Sequence, residues 1–278
     1  KRKFLFSVWS IEFEFYLVSF QNISNQRNNV TPKDQYTNTF EYYTDTHTRA
    51  ISIPIMVHLD KALTKNLTRD YKRTIKKYFK DVFASVENVF KHPSLNHTIQ
   101  FVLLDVKMLK NATKKFQMSE NVSKYLKSYC QWQGKRKIEK NKWHYSVLFT
   151  GLDVYYLDGR KNQVRSSTGR GYVRGICSVA NSCSLLEWHP QNIAYILAHE
   201  IAHSLGVSHD GPPNNQCRSQ RHIMGAKYNP RHPVTSWSPC SKQELEKFLF
   251  TFPSSIRFHV NRQFIFMIRA IYKPKLKN

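Results

Sequence analysis

Residues 199–210 read His-Glu-Ile-Ala-His-Ser-Leu-Gly-Val-Ser-His-Asp, and no other segment restricts the possible folds so tightly. From Asn192 to Leu205 the chain holds good helix formers, with Ile193, Leu197 and Ile201 along one apolar stripe. Pro190 can open that helix, because the amide it lacks would be unpaired in a first turn anyway. His199 and His203, four residues apart, then project from one face and can meet on a single ion. Gly206 falls where the helix should stop, at a position whose left-handed conformation only glycine adopts without steric cost. The chain can therefore reverse and return His209 to the same point. Three neutral imidazoles leave one position open on a tetrahedral ion, the arrangement of a catalytic rather than a structural zinc site. Glu200, adjacent to the first ligand, can approach a water on that ion without ligating it. Zinc lowers the pKa of such a water towards ~7, so the carboxylate can take its proton as attack on a carbonyl begins. It can later hand that proton to the leaving amine. The pattern predicts one zinc ion, three ligands and a base for peptide hydrolysis.

The rest of the composition bears on compartment and partners. The chain has 278 residues, enough to bury a sizeable core. It contains no run of 18 apolar residues, so no membrane-spanning helix is expected. It opens on Lys1 rather than Met, as a fragment or processed product would. Lys1-Arg2-Lys3 before Phe4–Trp9 is similar to a signal-peptide stub, although Glu12 and Glu14 interrupt the apolar run. Asn-x-Ser/Thr sequons at Asn22, Asn29, Asn66, Asn96, Asn111 and Asn121 favour a secretory route. Five cysteines, none in a Cys-x-x-Cys pair, fit the same route as two disulfides and one odd thiol. A net charge of +24 attracts polyanions, among them sulfated glycosaminoglycans. Its clusters, such as Arg69-Tyr71-Lys72-Arg73-Lys76-Lys77 and Lys135-Arg136-Lys137, read as solvated faces. No recognition helix or stacking platform accompanies them, so nucleic acid is not an expected partner.

Residues 1–47, rich in Asn, Gln, Thr and Ser from residue 20 onward, read as a prosegment remnant or linker. Order should begin at the dense apolar strand Ile51–Leu59 and continue into one long amphipathic helix from about Thr64 to Phe90. In that helix Leu67, Tyr71, Ile75, Tyr78, Val82, Val86 and Val89 recur at three- and four-residue steps. A strand at Thr98–Leu104, a helix near Glu120–Tyr129, a strand at His144–Thr150 and a Gly-rich extended stretch through Gly169–Ile176 follow. The order describes an α/β domain with a mixed sheet over residues 48–251. Residues 252–278 form a basic, aromatic tail to which the sequence assigns no role.

Taken together, these residues resemble a known clan. His199 to His209 matches the extended metzincin signature, and Ile223-Met224-Gly225 resembles its Met-turn. Asp210 directly after the third histidine resembles the adamalysin, or reprolysin, branch with its ADAM and ADAMTS relatives. So do Trp237-Ser238-Pro239-Cys240-Ser241, ahead of an apolar helix through Phe248-Leu249, and Val147–Asp153, which is similar to that family's third strand. The likeness covers about residues 50–250, and the short form resembles arthropod salivary or venom reprolysins.

The resemblance implies a metzincin catalytic domain: a mixed twisted sheet with an antiparallel edge strand, a long active-site helix and a mostly irregular C-terminal subdomain. Met224 would underlie the zinc-binding histidines. Gly171, Tyr172, Val173, Arg174 and Gly175 would form the edge strand that pairs with an extended substrate. Residues from about Ala226 to Thr235 would wall the pocket beyond the scissile bond. Cys130–Cys183 and Cys177–Cys240 would be the disulfides, with Cys217 lacking its usual partner. Trp143-His144-Tyr145 offers no acidic residue before the third strand, which counts against calcium. The implied activity is that of a secreted, monomeric zinc metalloendopeptidase acting on extracellular proteins. The alternative from another class is a non-catalytic secreted toxin or binding protein that uses the same fold to dock on acidic surfaces.

Overall fold

Ile51–Leu59 forms β1, and every residue from Ile53 to Leu59 is buried, as befits a strand with neighbours on both edges and layers on both faces. The computed structural model describes residues 51–95, 97–109, 116–140, 143–165, 169–218, 221–226, 234 and 236–251. The expectations for residues 1–47 and 252–278, and most of the Ala226–Thr235 wall, lie outside them. β1 pairs in parallel with β2 (Ile99–Met108) on one side and β3 (Tyr145–Thr150) on the other. β3 pairs in parallel with β7 (Cys183–Glu187), and β6 (Gly169–Gly171) closes the sheet antiparallel to β7. The order β2-β1-β3-β7-β6 is thus a mixed sheet with one antiparallel edge. A small hairpin of β4 (Tyr156–Leu157) and β5 (Gln163–Val164) stands apart from it.

The expected long helix is two. α1 (Lys61–Asn66) ends at Leu67, whose backbone is extended, and α2 (Arg69–Phe90) restarts behind Thr68. The Thr68 hydroxyl accepts the Tyr71 amide at 3.2 Å, so an N-cap interrupts the apolar periodicity that runs across it. Ile75, Phe79, Val82, Phe83, Val86 and Phe90 then bury against the sheet in the main core. α3 (Val122–Lys140) outruns its expected end at Tyr129 and covers a second cluster built on Tyr125, Leu126 and Tyr129. Its extension corrects one charge reading. Arg69, Lys72, Arg73, Lys76 and Lys77 on α2 are exposed, but Lys137 is only 4% accessible. The Lys137 ammonium donates to both the carbonyl and the hydroxyl of Ser182, and burial holds its pKa well below the usual lysine range.

Asp60, fully buried at the end of β1, joins several elements. One carboxylate oxygen caps α1 through the Leu63 amide at 2.8 Å and receives the Gly151 amide at 3.3 Å. The other accepts the hydroxyls of Tyr125 on α3 and Thr150 on β3. Four donors satisfy the buried charge. Among the described residues no helix is long and apolar enough to cross a membrane.

The disulfides need a correction. Cys130 on α3 is bonded to Cys183 on β7, but Cys240 is bonded to Cys217 rather than to Cys177. Cys217 and Cys240 have Cα atoms 6.1 Å apart, within disulfide reach. Cys177 is the free thiol, and burial pushes its pKa up to about 12. Peptide mapping without reduction should recover Cys130–Cys183 and Cys217–Cys240. Cys177 should alkylate slowly at pH 8 and quickly after unfolding; a Cys177–Cys240 peptide would contradict this pairing.

Candidate active site

The site is built on α4 (Ile193–Ser204), whose apolar side holds it in place. Ile193, Ile196, Leu197 and Ile201 bury into the main core, which turns His199 and His203 to the opposite face. Pro190 does not begin the helix. It lies in the turn before Asn192, which occupies the N-cap position. At the other end Leu205 and Gly206 return their amides to Ile201 and His203, each at 2.9 Å, and Gly206 takes φ +92°. A Cβ there would also stand 2.8 Å from the ring of Phe248, so the position is closed to side chains twice over.

The reversal delivers His209, and several groups fix its backbone. Its carbonyl accepts the side-chain amides of Asn214 and Asn215 at 3.1 and 3.2 Å. The preceding Ser208 amide donates to Glu244 at 2.6 Å, and the following Asp210 amide to the Met224 carbonyl at 2.8 Å. Glu244 belongs to α5 (Pro239–Phe250). Asp210 itself is buried, and one of its oxygens accepts the hydroxyls of Ser238 and Ser241, the N-cap and first turn of α5. Met224 is fully buried in the main core. Its neighbour Ile223 offers the carbonyl that receives His199 Nδ1 at 2.8 Å and the Tyr195 hydroxyl at 3.0 Å.

The three rings converge. His209 Nε2 lies 3.1 Å from His199 Nε2 and 3.0 Å from His203 Nε2. His199 Nδ1 donates to Ile223 and His203 Nδ1 donates to the Val207 carbonyl at 2.7 Å, so both rings present an unprotonated Nε2 inward. His209 has at most one proton to offer there, and a cation is what three such nitrogens suit. A tetrahedral zinc with bonds of ~2.0–2.1 Å needs its nitrogen ligands ~3.3 Å apart. The donor set therefore fits zinc. Burial also favours the neutral, ligating form: it lowers the pKa of His199 to about 4 and holds His203 well below the usual value.

Glu200 sits beside them, 5% accessible, with Oε2 accepting no hydrogen bond from any described residue. Burial pushes its pKa up to about 8, opposed by the charge of Arg170 and the amide of Gly171. β6 lies directly on it. A Cβ on Gly169 would come within 2.6–2.7 Å of Glu200 Cγ and Oε1, and one on Gly171 within 3.0 Å of the Glu200 carbonyl.

With that geometry in view, comparison with known proteins is decisive. Residues 52–255 match the model of the reprolysin (M12B) family of zinc metalloproteases. The chain belongs to this family. A disintegrin and metalloproteinase with thrombospondin motifs 16 from Homo sapiens is 30% identical over 202 residues, which are 72% of this chain and 16% of that protein. Its counterpart numbered 18 from Mus musculus is 30% identical over 175 residues, 63% of this chain and 14% of that protein. The chain thus spans about a sixth of the curated relatives it matches. Metalloproteinase-II from Bacteroides fragilis superposes with a TM-score of 0.47 at 14% identity, over 72% of this chain and 54% of that one.

Within the reprolysin domain the edge strand differs from expectation. It comprises Gly169–Gly171, so Gly171 alone of the five expected residues belongs to it. Tyr172 to Arg174 have left the ladder, Arg174 is left-handed at φ 60°, and a single 3-10 turn occupies Gly175–Cys177. The Arg174 amide donates to the His203 carbonyl at 2.9 Å, so the chain here closes onto the end of α4 instead of extending past it. Sequence reasoning missed Gly169, Glu244 and the two asparagines. Only the glycine left a signal, as the first member of Gly-x-Gly in an edge strand, where backbone must approach a neighbour closely.

Gly169→Ala should therefore displace the Glu200 side chain while leaving the fold and the three imidazoles intact. The expected result is an about 100-fold fall in kcat on a peptide substrate, with zinc content and melting temperature close to those of the parent chain. Unchanged kcat would show that Glu200 can yield without consequence.

Proposed function

We propose that this chain is a secreted zinc endopeptidase that hydrolyses peptide bonds of extracellular proteins. His199, His203 and His209 are its metal ligands and Glu200 its general base. The observation that carries this reading is the buried Glu200 carboxylate, with an oxygen that no described residue engages, on the same helix as two of three converging imidazoles. When bound, the ion supplies Lewis acidity, lowering the pKa of water towards ~7 and polarising a carbonyl.

The protein's own groups do the rest. Glu200 takes the proton of the attacking water. It then passes that proton to the leaving amine. β6, with its outer edge open among the described strands, accepts an extended substrate main chain to main chain. Six sequons and two disulfides support secretion. The net charge of +24 supports contact with sulfated glycosaminoglycans. Residues 48–251 form the catalytic unit of this reading, preceded by a prosegment remnant or linker.

The test is cleavage of a denatured protein by the purified chain, its loss on chelation and its return with zinc. Glu200→Gln should lower kcat by about 10²- to 10⁴-fold with one zinc still bound per chain. Activity that survived this substitution would end the reading.

A further inference from the structure

The carbonyl oxygen of Ile223 serves two side chains of α4. The His199 ring reaches it through Nδ1 at 2.8 Å, and the Tyr195 hydroxyl donates to it at 3.0 Å. Tyr195 and His199 stand four residues apart, one turn along the same side of the helix. A carbonyl oxygen has two lone pairs, so both donors can occupy it at once. Ile223 is fully buried in the main core, and Tyr195 is half-buried against it.

The two histidines of α4 differ in how their acceptors are held. His203 Nδ1 donates to Val207, four residues on, and the Val207 amide returns to the Ala202 carbonyl at 3.0 Å. The turn at Gly206 thus fixes that ring and its acceptor together. His199 draws its acceptor from 24 residues away, in an irregular turn. There the Ile223 amide donates to the Ser236 carbonyl at 3.0 Å, and the Met224 carbonyl accepts the Asp210 amide at 2.8 Å. These bonds tie the turn to the chain around it, whereas the Tyr195 hydroxyl ties it to α4. An imidazole that keeps Nε2 turned to a metal needs a fixed partner for its other nitrogen. Loss of such an outer partner costs roughly 10- to 100-fold in metal affinity. We propose that Tyr195 is a positioning residue for zinc: its hydroxyl holds the Ile223 carbonyl on α4, and that carbonyl orients the His199 ring. The inference rests on the zinc endopeptidase reading and adds to it a residue outside the ligand set.

The experiment measures the zinc Kd of the full chain by competition with a chelator of known affinity, beside the melting temperature of the zinc-free chain. Tyr195→Phe keeps the ring and its packing and removes only the donor. It should weaken zinc about tenfold, with a zinc-free melting temperature close to that of the parent. 4-Aminophenylalanine introduced at position 195 supplies an N–H in place of the hydroxyl and should restore most of the affinity. Tyr78→Phe is the control, because it removes another tyrosine hydroxyl that donates to a carbonyl, that of Pro190 at 3.5 Å. Its zinc Kd should equal the parent's. An unchanged Kd in Tyr195→Phe would overturn the proposal, whatever happens to the melting temperature, since the bond would then be purely structural. Equal weakening in Tyr195→Phe and Tyr78→Phe would also overturn it, as would no recovery with 4-aminophenylalanine. A parent chain that binds no zinc would overturn the endopeptidase reading itself, and this inference with it.

Discussion

Three imidazole nitrogens aimed at one point repel one another unless a cation stands between them, and much of the C-terminal half is arranged around that necessity. His199 and His203 have committed their Nδ1 protons to the carbonyls of Ile223 and Val207. Their Nε2 lone pairs consequently face His209 at 3.0–3.1 Å. Nothing in a protein interior satisfies such a cluster better than a divalent ion. The same two carbonyls belong to the turn at Met224 and to the turn after Gly206. The orientation of the imidazoles and the path of the chain beyond α4 are therefore one feature.

His209 is the vulnerable member of the three imidazoles, because it lies outside the helix that fixes the other two. α5 compensates through several attachments. Phe248 packs on Gly206, Glu244 receives the Ser208 amide, Ser238 and Ser241 hold Asp210, and Cys240 is bonded to Cys217. Trp237, just before α5, donates to the Val89 carbonyl at the end of α2 and so anchors the helix to the main core. An irregular segment can hold an imidazole in place when its backbone polar groups are taken up by a rigid element. On the opposite side β6 plays the complementary part, pressing side-chain-free backbone against Glu200. Glu200 is pressed by a strand, and two of the three imidazoles are carried by a helix.

The legible part of this architecture was local. The strand at Ile51–Leu59, the apolar stripe of α2, and the helix and turn that carry the three histidines all announce themselves within a dozen residues, where periodicity and glycine placement act directly. What could not be read depends on contacts distant in sequence. The break at Thr68 hides because Leu67 and Tyr71 keep helical spacing across it. Lys137 looks like surface within a basic run, yet α3 lays it against Ser182, 45 residues away. The edge strand ends at Gly171 rather than Gly175 because Arg174 turns its amide to α4. Cys240 chooses Cys217 through the docking of α5, which no spacing encodes. Likewise Gly169 matters only because Glu200 lies beneath it.

The convergence itself is open to direct measurement. X-ray absorption at the zinc edge of the zinc-loaded chain should show three imidazole nitrogens at about 2.0–2.1 Å and one light-atom ligand from water, with no sulfur. A first shell containing sulfur, or only two imidazoles, would contradict the account, because it would leave His209 off the metal and the turn at Gly206 without the role given to it here.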